Sequence, residues 1–225
     1  MKTKNFLVAV FLFFPFWATA QWPVSLTAGA GLASETILQT AQYQSDNHKE
    51  RYSNILVFGY AFHLGAETGH FFSPRTGMSA GVEFAYAKSP DDNISLYPDG
   101  NWRSISLKIP VSLLLALGYE KRSFLRFGFS THISLSKKSP EYIVSDETYS
   151  YHSFFWSVHA GYAYQAGKRV RAGILLSRDI TPYLEIRQDN VGIGANPVPV
   201  ILFTDHYFFT LTATVSYRLG NLSHR

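Results

Sequence analysis

The sequence predicts an all-β fold, an eight-stranded antiparallel transmembrane β-barrel. Three observations predict it. Apolar residues recur at period two along most of the chain, not at helical spacing. Residues of the opposite parity are small or polar, with many Gly and Ser. Past residue 20 no apolar run approaches the roughly 20 residues that a membrane helix needs.

Composition agrees. The 225 residues are 16% aromatic and only 16% charged, a balance that suits a surface meeting lipid. There is no Cys, which excludes disulfides, thiolate metal sites and acylation as a lipoprotein. The formal charge of +4 falls by two without Lys2 and Lys4, so nothing favours nucleic acid as a partner.

The first element is a cleaved secretory signal over 1–20. Lys2 and Lys4 form its basic head and Phe6 to Trp17 its apolar core. Ala18-Thr19-Ala20 gives the small-x-small cleavage pattern, leaving Gln21 as the mature start and 21–225 as one barrel domain.

Eight strands follow. In 24–33, Val24, Leu26, Ala28, Ala30 and Leu32 alternate with Ser, Thr and Gly. In 55–67, Phe58, Tyr60, Phe62 and Leu64 alternate with Gly59, Ala61, His63 and Glu67. In 76–87, Met78, Val82, Phe84 and Tyr86 alternate with Gly77, Ser79, Gly81 and Glu83. In 104–115, Ile105, Leu107, Ile109, Val111 and Leu113 alternate with Ser104, Ser106, Lys108, Pro110 and Ser112. The same pattern runs through 124–136, with Arg126, Gly128 and His132 on the polar side, and through 153–165, with His159 and Gly161 there. It continues through 169–177, with Arg171 and Gly173, and ends in 206–219, where Thr and Ser alternate with Tyr207, Phe209, Leu211, Val215 and Tyr217.

In a soluble sandwich the polar face would be wet, and Gly would be an odd choice for it. In a membrane barrel the apolar set faces lipid and the small, polar set fills the lumen. Eight strands leave room for side chains and little else, so a wide diffusion pore is not expected. The aromatics form two expected girdles. Phe58, Tyr86, Trp102, Phe154, Trp156, Tyr207 and Phe209 fall near one rim, and Trp22, Tyr119, Tyr162, Tyr164 and Tyr217 near the other. Connections alternate short and long. The long ones, 34–53, 88–101, 137–150 and 181–205, are expected to be extracellular loops.

"LKIPVSLLLALG" followed by "KRSFLRFGFSTHISLS", with "VHAGYAY" and the closing "LTATVSYRLG", resembles the PorT-like outer-membrane β-barrel family of the Bacteroidota, over roughly residues 22–219. The resemblance implies an eight-strand barrel in the cell outer membrane. Some members of that family serve a protein-secretion system.

The inward parity gives the candidate site residues. Glu67 and Glu83 can pair with Lys108, Arg126 or Arg171 across the lumen, since buried charges must be paired. That network is either structural or a proton or solute path. His63, His132 and His159 also point inward, as hydrogen-bonded lumen residues or as metal ligands; no metal or cofactor is expected. "STHISLS" gives an H-x-S pair, His132 and Ser134, with Glu147 downstream. It is similar to the lipid A deacylase barrels of the PagL type, in which a His, a Ser and a carboxylate hydrolyse an ester. "NPVPVILF", 196–203, either extends the last strand above the membrane or forms a docking patch for a protein partner. The expectation is an outer-membrane barrel that is not an enzyme, embedded in outer-membrane lipid, with a structural or interaction role through its extracellular loops. A membrane-embedded lipid A esterase using His132 and Ser134 is the alternative.

Overall fold

The computed structural model describes residues 23–43, 49–88, 103–118, 122–135, 147–193 and 198–219. The expected signal, and Trp22, Trp102 and Tyr119 of the expected girdles, lie outside them. The strands are β1 (Val24–Tyr43), β2 (Lys49–Phe71), β3 (Thr76–Lys88), β4 (Arg103–Leu117), β5 (Ser123–Ser134), β6 (Glu147–Tyr151), β7 (Phe154–Gln165), β8 (Val170–Asp179), β9 (Leu184–Ile193) and β10 (Val198–Arg218). They pair antiparallel in the order β1-β2-β3-β4-β5-β7-β8-β10, and β10 pairs back onto β1 to close the barrel. Eight strands therefore make the wall of the barrel, and no edge is left along the belt. The short pieces β6 and β9 sit above β7 and β8 and continue those two staves upward.

The predicted parity holds on every stave. On β4, Ser104, Ser106, Lys108, Pro110, Ser112 and Leu114 are buried, while Leu113 and Leu117 are exposed. Elsewhere Leu64, Phe129, Trp156, Ile174 and Val215 are each more than half exposed. A soluble protein of this size would not leave so many large apolar side chains bare; here they form a continuous lipid-facing belt. Tyr60, Tyr86, Phe154 and Trp156 ring its upper rim, and Tyr162, Tyr164 and Tyr217 its lower rim. Tyr60 stacks on Tyr86, and Phe62 on Tyr86 at 4.8 Å between centroids, which ties β2 to β3 at the upper girdle.

Pro110 shows how the wall absorbs a residue without an N–H. The β3–β4 register runs from Thr76↔Leu115 to Ala80↔Val111, then resumes at Glu83↔Lys108. The ladder is interrupted beside Pro110, whose ring is buried in the lumen. At the periplasmic end β4 stops at Gly118, which takes φ +76, a left-handed conformation that suits Gly.

Two of the expected long loops are mostly strand. Of 34–53, residues 34–43 belong to β1 and 49–53 to β2, still paired as far as Gln42↔Lys49. Of 181–205, residues 184–193 are β9 and 198–205 are β10. Within 137–150, residues 147–150 lie in β6, while 136–146 and 89–102 are outside the described residues. Segment 196–203 extends the last strand from Val198 onward. The result is a five-stranded wall above the membrane, in the order β2-β1-β10-β9-β6. The ten residues 34–43 carry β1 roughly 25 Å above the belt at the usual strand rise and barrel tilt.

Candidate functional site

The lumen is filled in layers. Small residues make room for large polar ones. A Cβ on Gly29 would overlap the ring of His63 on the facing strand, and one on Gly128 would overlap His159 and the backbone of β4. Each imidazole thus lies across a glycine of the neighbouring stave.

The lowest layer centres on Glu67. Arg126 Nη1 lies 2.9 Å and Arg171 Nη1 3.3 Å from its two oxygens. Arg126 also donates through Nε to Ser112 Oγ at 2.8 Å. Ser112 meets His159 Nε2 at 2.8 Å, and His159 Nδ1 meets Ser130 Oγ at 3.2 Å. The middle layer centres on Glu83, with Lys108 Nζ at 3.5 Å, His63 Nδ1 at 3.3 Å and the Thr27 hydroxyl donating at 3.5 Å. His132 lies in the next layer, between Ser106 (3.0 Å) and Ser157 (2.9 Å), with its ring stacked on Phe155 at 4.3 Å.

Above His132 an apolar plug crosses the lumen. Phe155, Tyr183, Leu184 and Phe208 pack with Ala33, Ala61 and Ala87, and Tyr183 stacks on Phe208 at 4.8 Å. Glu35 anchors it, accepting from Tyr183 Oη at 2.6 Å and sitting 2.8 Å from His206 Nδ1. Asp179 accepts from the Phe208 backbone N–H at 2.9 Å. Two of the cavities left between the described residues share no lining residue. One of about 60 Å³ lies under the plug, beside Lys108, His132 and Asp179, with space for a few waters. The other, about 360 Å³, lies at the periplasmic mouth.

All the inward charges named from the sequence are brought together: Glu67 with Arg126 and Arg171, and Glu83 with Lys108 and His63. The three histidines are not. Each sits in its own layer, and among the described residues no group of three His, Cys, Asp or Glu is placed to hold a metal ion. His132 and Ser134 share the lumen face, but both ring nitrogens of His132 are engaged by Ser106 and Ser157. Glu147 begins β6, opposite Gln188 of β9.

Glu35, Asp179, Tyr183 and His206 are lumen residues that sequence reasoning did not assign. Extending the parity of β1 by two residues past Ala33 reaches Glu35. Extending that of β8 past Ser177 reaches Asp179.

On the outer face of the extracellular wall, Leu38, Asp205, Glu185 and Ser150 form one cross-strand row. His152 Nε2 lies 3.8 Å from Glu185. The Asp205 carboxyl is raised above its ordinary range, first by partial burial and then by the like charge of Glu185 opposite. In the next row the Arg187 guanidinium lies over the Phe203 ring, 5.8 Å from its centroid.

No known protein family matches the chain, and no curated protein does. Several solved structures are similar to it. The outer membrane protease OmpT of Escherichia coli aligns at 10% identity with a TM-score of 0.42, covering 89% of this chain and 99% of that one. Neisserial surface protein A aligns at 10% identity and a TM-score of 0.44, covering 87% and 97%. The outer membrane protein OprG of Pseudomonas aeruginosa aligns at 10% identity and a TM-score of 0.41, covering 87% and 96%. The expectation that the chain is not an enzyme is corrected by the first of these. One of the similar structures is thus an enzyme. The lipid-facing belt, the aromatic girdles and the closed antiparallel wall make this chain an integral β-barrel of the cell outer membrane.

Proposed function

We propose that the protein works through its extracellular wall, which presents a rigid docking surface to a protein partner. The observation that carries this reading is the β2-β1-β10-β9-β6 sheet, which continues the barrel well past the belt. Its strands are ordered by their ladder before any partner arrives, so binding need not supply that ordering entropy. Its outer face mixes Leu38 and Phe203 with Arg187, Glu185 and Asp205, the blend of apolar and polar groups found at protein interfaces. Residues 198–203, from the proline-bearing segment singled out in the sequence, supply the first rungs of β10. The layered lumen beneath serves as a stiff plinth. A role beside a secretion system, as in some PorT-like barrels, is the finer form of this reading, supported by the "LKIP" strand and its partner hairpin.

A photo-crosslinking residue at Leu38, in native outer membranes, tests the proposal. A discrete protein adduct is expected there, and only lipid adducts at Leu113 in the belt. Lipid adducts alone at both positions would remove the docking role.

A further inference from the structure

The periplasmic mouth is built unlike the rest of the lumen. Its cavity, about 360 Å³, is of the size that holds small organic ligands. The two sectors of its lining differ in chemistry. On β8, β10 and the loop before β8 stand Arg169, Arg171 and Arg218. Beside them, on β2, β4 and β5, stand Phe71, Leu114 and Phe124. The two sectors meet where β5 and β8, separated only by β7, bring the Phe124 ring under the Arg171 guanidinium.

The charge in this cavity is not balanced. Among the described residues, the one carboxylate in its lining is Glu67, which is already held by Arg126 and Arg171. Among the described residues, Arg169 reaches only the neutral Tyr217 hydroxyl, at 3.4 Å. Arg171 lies over the Phe124 ring, 5.1 Å from its centroid, so its guanidinium is packed in place, which lowers the entropic cost of gripping an anion. Phe71 and Phe124 lie 5.5 Å apart at a tilt of 39°, making an aromatic wall that ends where the cationic one begins. A planar fork of donors suits a carboxylate, and the aromatic wall suits an apolar body attached to it.

We infer that this mouth is a binding site, open to the periplasm, for a small organic carboxylate with an apolar or aromatic body. The guanidinium groups of Arg169 and Arg218 take the carboxylate, and Phe71, Phe124 and Leu114 take the body. The plug and the ion-pair layers above it make the site a dead end, so the ligand enters and leaves from one side.

The test uses the full mature chain in detergent micelles, with 4-fluorobenzoate as probe and fluorine NMR as readout. Empty micelles report partitioning alone. Saturable binding is expected for 4-fluorobenzoate, and none for 4-fluorobenzylamine, which has the same body and the opposite charge. The double variant Arg169→Gln/Arg218→Gln leaves the Glu67 pairs intact and should weaken binding at least tenfold. Phe71→Ser, checked for folding by heat-modifiable gel mobility, should weaken 4-fluorobenzoate severalfold. Inorganic phosphate should compete only weakly. Absence of saturable binding, or binding that the double variant leaves unchanged, would overturn the site. Phosphate binding as tightly as 4-fluorobenzoate would overturn the role of the aromatic wall.

Discussion

Replacing Glu67 with Gln keeps the shape of the lowest lumen layer and removes the negative charge that pairs its two arginines. Glu67 is 4% exposed and holds Arg126 at 2.9 Å and Arg171 at 3.3 Å. The variant leaves two guanidinium groups facing each other with no counter-ion. Breaking a buried ion pair from one side costs about 3–5 kcal/mol, mostly because the surviving charge stays desolvated. Arg171 is 27% exposed beside the mouth, where water screens it, so the lower end, about 3 kcal/mol, is expected. Urea unfolding in lipid vesicles, followed by tryptophan fluorescence, measures the loss. Adding Arg126→Gln should recover part of it, because the double variant leaves one unmatched cation, Arg171, in place of two. A loss below about 1 kcal/mol would mean that the layer is hydrated like a surface pair. A double variant as unstable as the sum of the two singles would mean that the residues do not act as a pair.

Val111 faces lipid beside Phe129 and Ala80, so Val111→Arg should cost about 2–4 kcal/mol in the same assay, and a fluorescent probe at 111 should be quenched from the bilayer while one at 112 is protected. Gly29→Ala drives a methyl into the His63 ring and displaces it from Glu83; a destabilisation of about 1–3 kcal/mol is expected, read from the urea midpoint. Asp205 binds its proton more tightly in the folded wall than in the unfolded chain, so its contribution to stability is greatest at low pH. That contribution falls as pH rises from the ordinary aspartate range through the raised folded value. Asp205→Asn should therefore gain on the parent across that window and hold a constant advantage above it, as hydrogen exchange of β9 and β10 amides would show.

The belt was legible in the sequence because lipid and lumen impose opposite demands on alternate residues. Leu107, Ile109 and Val111 against Ser106, Lys108 and Ser112 allow one reading. The demand ends at the membrane surface. In "TILQTAQY", 36–43, neither face meets lipid, so the alternation fades and a continuing strand reads as a polar loop. The same fading hid β9 and the start of β10. In the lumen, the sign of each inward charge was readable, but its partner was not. Arg171 lies far from Glu67 along the chain, and their meeting depends on how the staves are staggered. The layer heights that separate His63, His132 and His159 depend on the same stagger.

The seam between β1 and β10 has a consequence for assembly. Its rungs run from Ser25↔Arg218 to Tyr43↔Val200, joining the two ends of the chain. Every other stave along the belt pairs with a near neighbour in sequence, and such hairpins can form as they emerge. The seam alone must wait for the last strand. Until then β1 and β10 are bare edges, each offering unpaired N–H and C=O groups to any strand it meets. The seam is also the spine of the extracellular wall, so closing the barrel and erecting the wall are one zippering event. Joining the ends and opening the chain at a different hairpin would move that late step to another pair of staves. The wall could then form early, while the barrel below it was still open.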